Sequence, residues 1–92
     1  MELKDTVEMM NSPDYKERFK AEYHQTKTRY EKLKNFNTKI EAARRCQYSC
    51  TERKLEVPAH DCPDDLLIEQ QEMMGRYLHT LEVRAVIEDI DL

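Results

Sequence analysis

Residues 12–44 read SPDYKERFKAEYHQTKTRYEKLKNFNTKIEAAR, and neither glycine nor proline interrupts this stretch after Pro13. Ser12 is a good N-cap, Pro13 suits the first helical position, and Asp14 places negative charge in the first turn. The stretch therefore predicts a single helix of roughly 31 residues, which would be about 46 Å long. The rest of the chain has to be arranged around it.

One face of this long helix is marked by side chains that recur at alternating spacings of four and three residues. They form a heptad seam made of Phe19, Tyr23, Thr26, Tyr30, Leu33, Asn37 and Ile40. Asn37 holds a core position of the seam, where a polar side chain can fix register. A helix of this length cannot bury the seam against itself, so a second helix has to cover it.

A second helix is predicted over residues 63–90. Pro63 restarts regular structure, and Asp64 and Asp65 place negative charge at the helix start. Its first apolar stripe, which can pair with the long helix in an antiparallel hairpin, contains Leu67, Gln71, Met74, Leu78, Leu81 and Ala85. Its second stripe contains Leu66, Met73, Tyr77 and Ile87. Two stripes indicate two neighbours, so the second is predicted to face another subunit.

The remaining segments complete an all-α prediction. Residues 1–11 have helical spacing of apolar side chains and predict a short N-terminal helix, whereas residues 45–62 contain Val57-Pro58 and predict an irregular connection. Ninety-two residues make one small domain near the lower limit for a self-sufficient core. The expected fold is a short N-terminal helix followed by a long antiparallel helical hairpin, in a homo-oligomer.

Composition excludes several classes of protein. No stretch has the length and apolarity of a membrane span, and the N-terminus lacks the pattern of a secretory leader. Three cysteines are an odd number, which argues against a secreted disulfide framework and favours reduced thiols. We therefore expect a soluble intracellular protein.

The net charge of −4 hides a strong asymmetry between the two halves. Residues 12–44 carry nine cations and five anions, a net charge of +4, whereas residues 61–92 carry two cations and nine anions, a net charge of −7. One interpretation is that a basic helix packs beside an acidic one. The other is that part of the basic face receives a phosphate-bearing ligand. A helix has more than one face, so both interpretations can hold.

Aromatic rings lie close to cations on the long helix. Such pairs can stack a nucleobase and hold its phosphates. The alternative is that the tyrosines fill a small core and place their hydroxyls at its edge. The candidate ligand-binding residues are Tyr23, Lys27, Arg29, Tyr30, Lys34 and Arg76.

Metal binding and catalysis are both disfavoured. A C-x3-C-x9-H-x-C pattern is formed by Cys46, Cys50, His60 and Cys62, which are suitable ligand types for tetrahedral zinc. The spacing does not match the common zinc modules, so the prediction is no metal. The sequence also lacks a glycine-rich phosphate loop, an H-E-x-x-H motif and an elbow serine. We therefore predict neither an enzyme nor a cofactor.

Two parts of the chain resemble a known family. Residues 14–23, with Gln25 and residues 29–33, are similar to the first helix of small proteins encoded by tailed phages and prophages of Gram-positive bacteria, which are relatives of a crAss-like phage protein. The second half is also similar to that family at residues 61–63, 66–67, 69–71, 74–75, 77–78 and 81–85. The chain departs from the family between Ala43 and His60, where the family connection is shorter and lacks Cys46 and Cys50.

The predicted hairpin is also similar in shape to phage sponge proteins that act against the CBASS and Thoeris defence systems. That resemblance implies a small oligomer in the cytoplasm of an infected bacterium, which captures a cyclic nucleotide signal and does not cleave it. The alternative is a phage accessory protein that inhibits a host defence protein by direct binding. A basic patch on a mixed surface favours the first function, whereas a continuous acidic face would favour the second.

Overall fold

The computed structural model describes residues 1–49 and 55–92, and all regular structure in these residues is helical. A 3-10 turn over Leu3–Thr6 runs into a short helix α1, Val7–Met10. The long helix α2 spans Tyr15–Ser49, and the second long helix α3 spans Asp64–Ile87. The predicted all-α class is confirmed for the described residues. Among them, no helix is long and apolar enough to cross a bilayer.

Helix α2 extends further than the heptad pattern predicted. It continues five residues past Arg44, where the sequence analysis placed the start of an irregular connection. Residues 45–49 contain neither glycine nor proline, and Arg45 reaches back one turn to Glu41 with an Nη2–Oε1 distance of 3.1 Å. An i,i+4 ion pair of this kind adds support to a helical turn.

Helices α2 and α3 pack antiparallel, as their contacts show. Near one end of the pair, Arg44 Nε lies 2.9 Å from Asp64 Oδ2. Further along, Asn37 Nδ2 donates to the carbonyl oxygen of Leu67 at 3.1 Å. Towards the other end, the buried core cluster contains Phe19, Tyr23, Leu78, Leu81, Ala85 and Ile90, with Tyr30 packed against it. The heptad seam of α2 therefore covers the first stripe of α3.

The N-terminal segment packs on another face of α2. Thr6 is fully buried, and its hydroxyl accepts a hydrogen bond of 2.9 Å from Gln25 Nε2. Gln25 also contacts the Met10 sulfur, and the Thr28 hydroxyl donates to the carbonyl oxygen of Met1 at 3.2 Å. Helix α2 is thus covered on two sides and forms the centre of the fold.

The C-terminal end of α3 is closed by a reversed turn. Asp89 has a φ of 56°, in the left-handed region, and the Ile90 N–H donates to the carbonyl oxygen of Ala85 at 2.8 Å. This is a Schellman motif, in which the chain turns back over the last helical residues. It places Ile90 in the core with only 7% of its surface exposed.

The second stripe of α3 remains at the surface of the single chain. Leu66, Met73, Tyr77 and Ile87 expose between 42% and 77% of their surface, and Val86 exposes 84%. Exposure of a row of apolar side chains on one helix is typical of an interaction surface. That this stripe faces another subunit stays a prediction.

Candidate functional site

The candidate site lies between α2 and α3, where Gly75 of α3 faces the Tyr30 ring of α2. Gly75 is the only glycine in the sequence, and a Cβ atom placed on it would lie 3.4 Å from Cε2 of Tyr30. A larger side chain at position 75 would therefore meet the Tyr30 ring. The missing side chain leaves space on both sides of that ring.

Two adjoining grooves use this space. The larger is open and has a volume of about 800 Å³, and it is lined by Tyr30, Gln71, Glu72, Gly75, Arg76, His79 and Thr80. The smaller has a volume of about 210 Å³ and is lined by Tyr23, Lys27, Tyr30, Glu31, Gly75, Leu78 and Glu82. Tyr30 and Gly75 belong to both grooves, so Tyr30 divides one continuous surface.

Tyr23 belongs to the core and also lines the smaller groove. Its side chain is 7% exposed, and the hydroxyl donates to Glu82 Oε2 at 2.6 Å. Burial raises the pKa of the Tyr23 hydroxyl to about 12, and the hydrogen bond to the Glu82 carboxylate adds to the rise. Because the Tyr23 ring is packed in the core cluster with Leu78 and Leu81, whereas Tyr30 is only half-buried, Tyr30 is the better placed of the two predicted rings for stacking on a base.

The predicted cations are divided by the structure into two groups. Lys27 lines the smaller groove, with its Nζ 5.9 Å from the centre of the Tyr23 ring, and Arg76 lines the larger groove. Arg29 and Lys34 are exposed and line neither groove. Lys34 is one turn beyond Tyr30 and therefore lies on the same side of α2. Arg29 precedes Tyr30 directly and lies on a different face.

The grooves carry both signs of charge. Lys27 and Arg76 are opposed by Glu31, Glu72 and Glu82, so the lining of one chain has no positive excess. Carboxylates accept hydrogen bonds from hydroxyl and amino groups, whereas the two cations suit phosphate oxygens. The surface is therefore suited to a ligand that combines aromatic, hydroxyl and phosphate groups.

Several lining residues were not among the predicted ones. The apolar pattern places Gln71 in the first stripe of α3, and it does not point to Gly75 as part of a site. His79 and Thr80 were not singled out for this site. The sequence does contain a pattern that could have identified these lining residues. Gln71, Gly75 and His79 are spaced four residues apart and therefore share one side of α3.

His60, one of the four residues of the cysteine and histidine set, has hydrogen-bond partners within the chain. Both ring nitrogens of His60 are occupied, Nδ1 by the carbonyl oxygen of Pro58 at 2.7 Å and Nε2 by Asp64 Oδ1 at 2.6 Å. No group of three potential metal ligands is found among residues 1–49 and 55–92.

The structure gives the bonding state of two of the three cysteines. Cys46 is disulfide-bonded, so the expectation of three reduced thiols is wrong for this residue. Cys62 is an exposed free thiol. Cys50 lies outside the described residues, so the zinc set as a whole is not described. A sulfur that is bonded to another sulfur is not available as a zinc thiolate.

Comparison with known proteins gives one finding. The family model for Sequestin matches residues 13–87, which include both long helices and every residue that lines the two grooves. The chain therefore belongs to the Sequestin family. No curated protein and no solved structure matches it.

Proposed function

We propose that this member of the Sequestin family is a phage-encoded anti-defence sponge, which binds a cyclic nucleotide immune signal and sequesters it without cleavage. The name of the family suggests sequestration of a ligand. The observation that carries the proposal is the surface around Tyr30 and Gly75, with Lys27 on one side and Arg76 on the other. An aromatic ring between two cations suits a base that is joined to phosphates.

Simple energetics favour a site that is built from more than one chain. A base stacked on Tyr30 is worth about 1–3 kcal/mol. Phosphate contacts from Lys27 and Arg76 add roughly 1.5–3 kcal/mol each. The sum barely reaches the −8 kcal/mol or so that corresponds to micromolar binding, before the entropic cost of association is subtracted. A single chain would therefore be a weak trap.

A homo-oligomer would supply the missing contacts. A cyclic dinucleotide has two bases and two phosphates, so two symmetry-related copies of the same half-site would engage both ends of the ligand. The exposed apolar row of α3, which includes Met73, Tyr77 and Ile87, provides a surface through which copies could associate. The neighbouring basic helix α2 would also bring its positive charge towards the ligand.

The experiment is isothermal titration calorimetry of the purified chain against cyclic di- and trinucleotides and cyclic ADP-ribose isomers. We expect one of them to bind with micromolar affinity or better and to be recovered chemically unchanged after denaturation. Lys27→Glu and Arg76→Glu should each weaken binding by tenfold or more. Lys39→Glu makes the same charge change at an exposed position that lines neither groove, so it should bind as the wild type does.

The alternative is direct inhibition of a host defence protein. The observation in its favour is the same exposed apolar row of α3, because such a surface could also bind an unrelated protein. The two proposed functions predict different calorimetric results with cyclic nucleotides. Absence of heat with every cyclic nucleotide would overturn the sponge function and leave protein binding in its place.

A further inference from the structure

We infer that Gln71 is a specificity-determining hydrogen-bond donor of the larger groove, and that Asn37 is the positioning residue that aims its amide. The inference rests on the proposed ligand site, because Gln71 lines that groove beside Gly75 and Tyr30. It goes further by assigning a polar group of the ligand, namely an acceptor such as a carbonyl oxygen or ring nitrogen of the base.

The first step concerns the orientation of Asn37. This side chain is 8% exposed, and its Nδ2 donates to the carbonyl oxygen of Leu67 at 3.1 Å and to Gln71 Oε1 at 2.9 Å. A main-chain carbonyl oxygen can only accept hydrogen bonds. Leu67 therefore requires the NH₂ group of Asn37 to face α3, with the oxygen on the other side.

The second step passes this orientation on to Gln71. Since the NH₂ group of Asn37 is the group that meets Gln71, the Gln71 amide must present its oxygen to Asn37. Its own NH₂ group is then directed away from Asn37, and no hydrogen bond from it to another described residue is found. Because Gln71 is half-buried and lines the larger groove, its amide NH₂ group is a donor that a ligand can use.

The unsatisfied oxygen of Asn37 supports the view that α3 orients Asn37 and that Asn37 in turn orients Gln71. Its Oδ1 is buried and has no hydrogen-bond partner among the described residues. An unsatisfied buried acceptor costs free energy, so the arrangement is not the one that satisfies Asn37 best on its own. The Leu67 carbonyl oxygen determines the orientation of Asn37, and the orientation of the Gln71 amide follows from it.

The decisive variant is Gln71→Glu. A carboxylate at position 71 still accepts the hydrogen bond from Asn37 Nδ2, so the contact between the helices is kept while the donor is lost. The matched control is Gln70→Glu, which adds the same charge at the neighbouring exposed position that lines neither groove. Gln71→Met removes the amide without adding charge.

Calorimetry uses the cyclic nucleotide that binds the wild-type chain most tightly. We expect Gln71→Glu and Gln71→Met to weaken binding by about tenfold or more, and Gln70→Glu to bind within about twofold of the wild type. Undiminished binding by both Gln71 variants would overturn the inference and leave the proposed function intact. Failure of the wild type to bind any probe would overturn the proposed function, and the inference with it.

A double-mutant cycle tests the role of Asn37. Asn37→Leu removes both hydrogen bonds and the unsatisfied oxygen, fits the heptad seam, and leaves the Gln71 amide free to turn. It should weaken binding several-fold without reducing stability to urea. Combined with Gln71→Met, it should weaken binding no further than Gln71→Met alone, because Asn37 acts through Gln71. Independent, additive losses would overturn the positioning role.

Discussion

The hydroxyl of Tyr23 on α2 donates a hydrogen bond of 2.6 Å to the Glu82 carboxylate on α3, and this bond joins the core to the wall of the smaller groove. The Tyr23 ring is buried, whereas Glu82 is exposed. Removal of the hydroxyl in Tyr23→Phe should lower the free energy of unfolding by about 1 kcal/mol. Tyr30→Phe is the matched control, because no hydrogen bond of the Tyr30 hydroxyl is found among the described residues.

The same bond predicts a dependence on alkaline pH. The pKa of Tyr23 is raised to about 12 in the folded chain, against about 10 when unfolded. The stability that the protonated Tyr23 hydroxyl contributes is therefore complete below about pH 10 and is lost as the pH rises towards about 12. Urea unfolding at pH 8 and pH 11 should show a larger loss for the wild type than for Tyr23→Phe. Equal losses in the two proteins would contradict the assignment.

The end of α3 allows a stabilising substitution. Asp89 adopts a left-handed φ of 56°, which glycine tolerates without steric cost. Asp89→Gly should raise the free energy of unfolding by about 1 kcal/mol, which corresponds to an increase in Tm of about 4–8 °C for a domain of this size. Asp89→Ala is the control and should not raise Tm, because alanine has the same steric cost as other non-glycine residues at a left-handed φ. A higher Tm for the alanine variant would contradict this account.

His60 and Asp64 predict a second dependence on pH, in the acidic range. The hydrogen bonds from His60 to the Pro58 carbonyl oxygen and Asp64 raise the pKa of the imidazole, because both partners accept and the protonated ring donates twice. Arg44 and His60 lower the pKa of the Asp64 carboxyl. The contribution of His60 is complete below about pH 6.5 and is lost above its raised pKa. That of Asp64 is complete above about pH 3.9 and is lost below its lowered pKa.

The raised pKa of His60 and the lowered pKa of Asp64 act together between about pH 4 and pH 6.5. In that range the pair contributes most to the free energy of unfolding. His60→Gln should therefore reduce stability most at pH 5.5 and least at pH 8, as measured by urea unfolding at both values. His79→Gln provides the control, because His79 is exposed and makes no described hydrogen bond or ion pair. A loss in His60→Gln that is the same at both pH values would refute the ion pair as its source.

The sequence could predict the helices because the heptad spacing of α2 and the stripes of α3 are properties of each helix alone. Phe19, Tyr23, Asn37 and Ile40 of the seam are indeed buried. The site depends instead on which residue of α3 faces which residue of α2. That register is recorded in pairs such as Asn37 with Gln71, which no periodicity reveals. The sequence consequently leaves open whether Tyr23 stacks on a ligand or fills the core, and the structure places its ring in the core cluster.

Gly75 gives the most direct test of whether the surface around Tyr30 binds the ligand. Glycine within a helix costs about 1 kcal/mol relative to alanine, so Gly75→Ala should stabilise α3 by up to that amount. The added Cβ would lie 3.4 Å from the Tyr30 ring, an ordinary contact that needs no movement. Gly75→Ala should therefore raise Tm and retain most of the ligand affinity.

Gly75→Leu should separate stability from binding. Leucine is also a good helix former, and its side chain would extend from the shared wall into the grooves on either side of Tyr30. We expect a helical circular dichroism spectrum like that of the wild type, with calorimetric affinity for the cyclic nucleotide reduced at least tenfold. Val83→Leu is the control, because it enlarges an exposed side chain of α3 that lines neither groove. Full affinity in a folded Gly75→Leu variant would place the ligand elsewhere, since no base could stack on Tyr30 with leucine beside it.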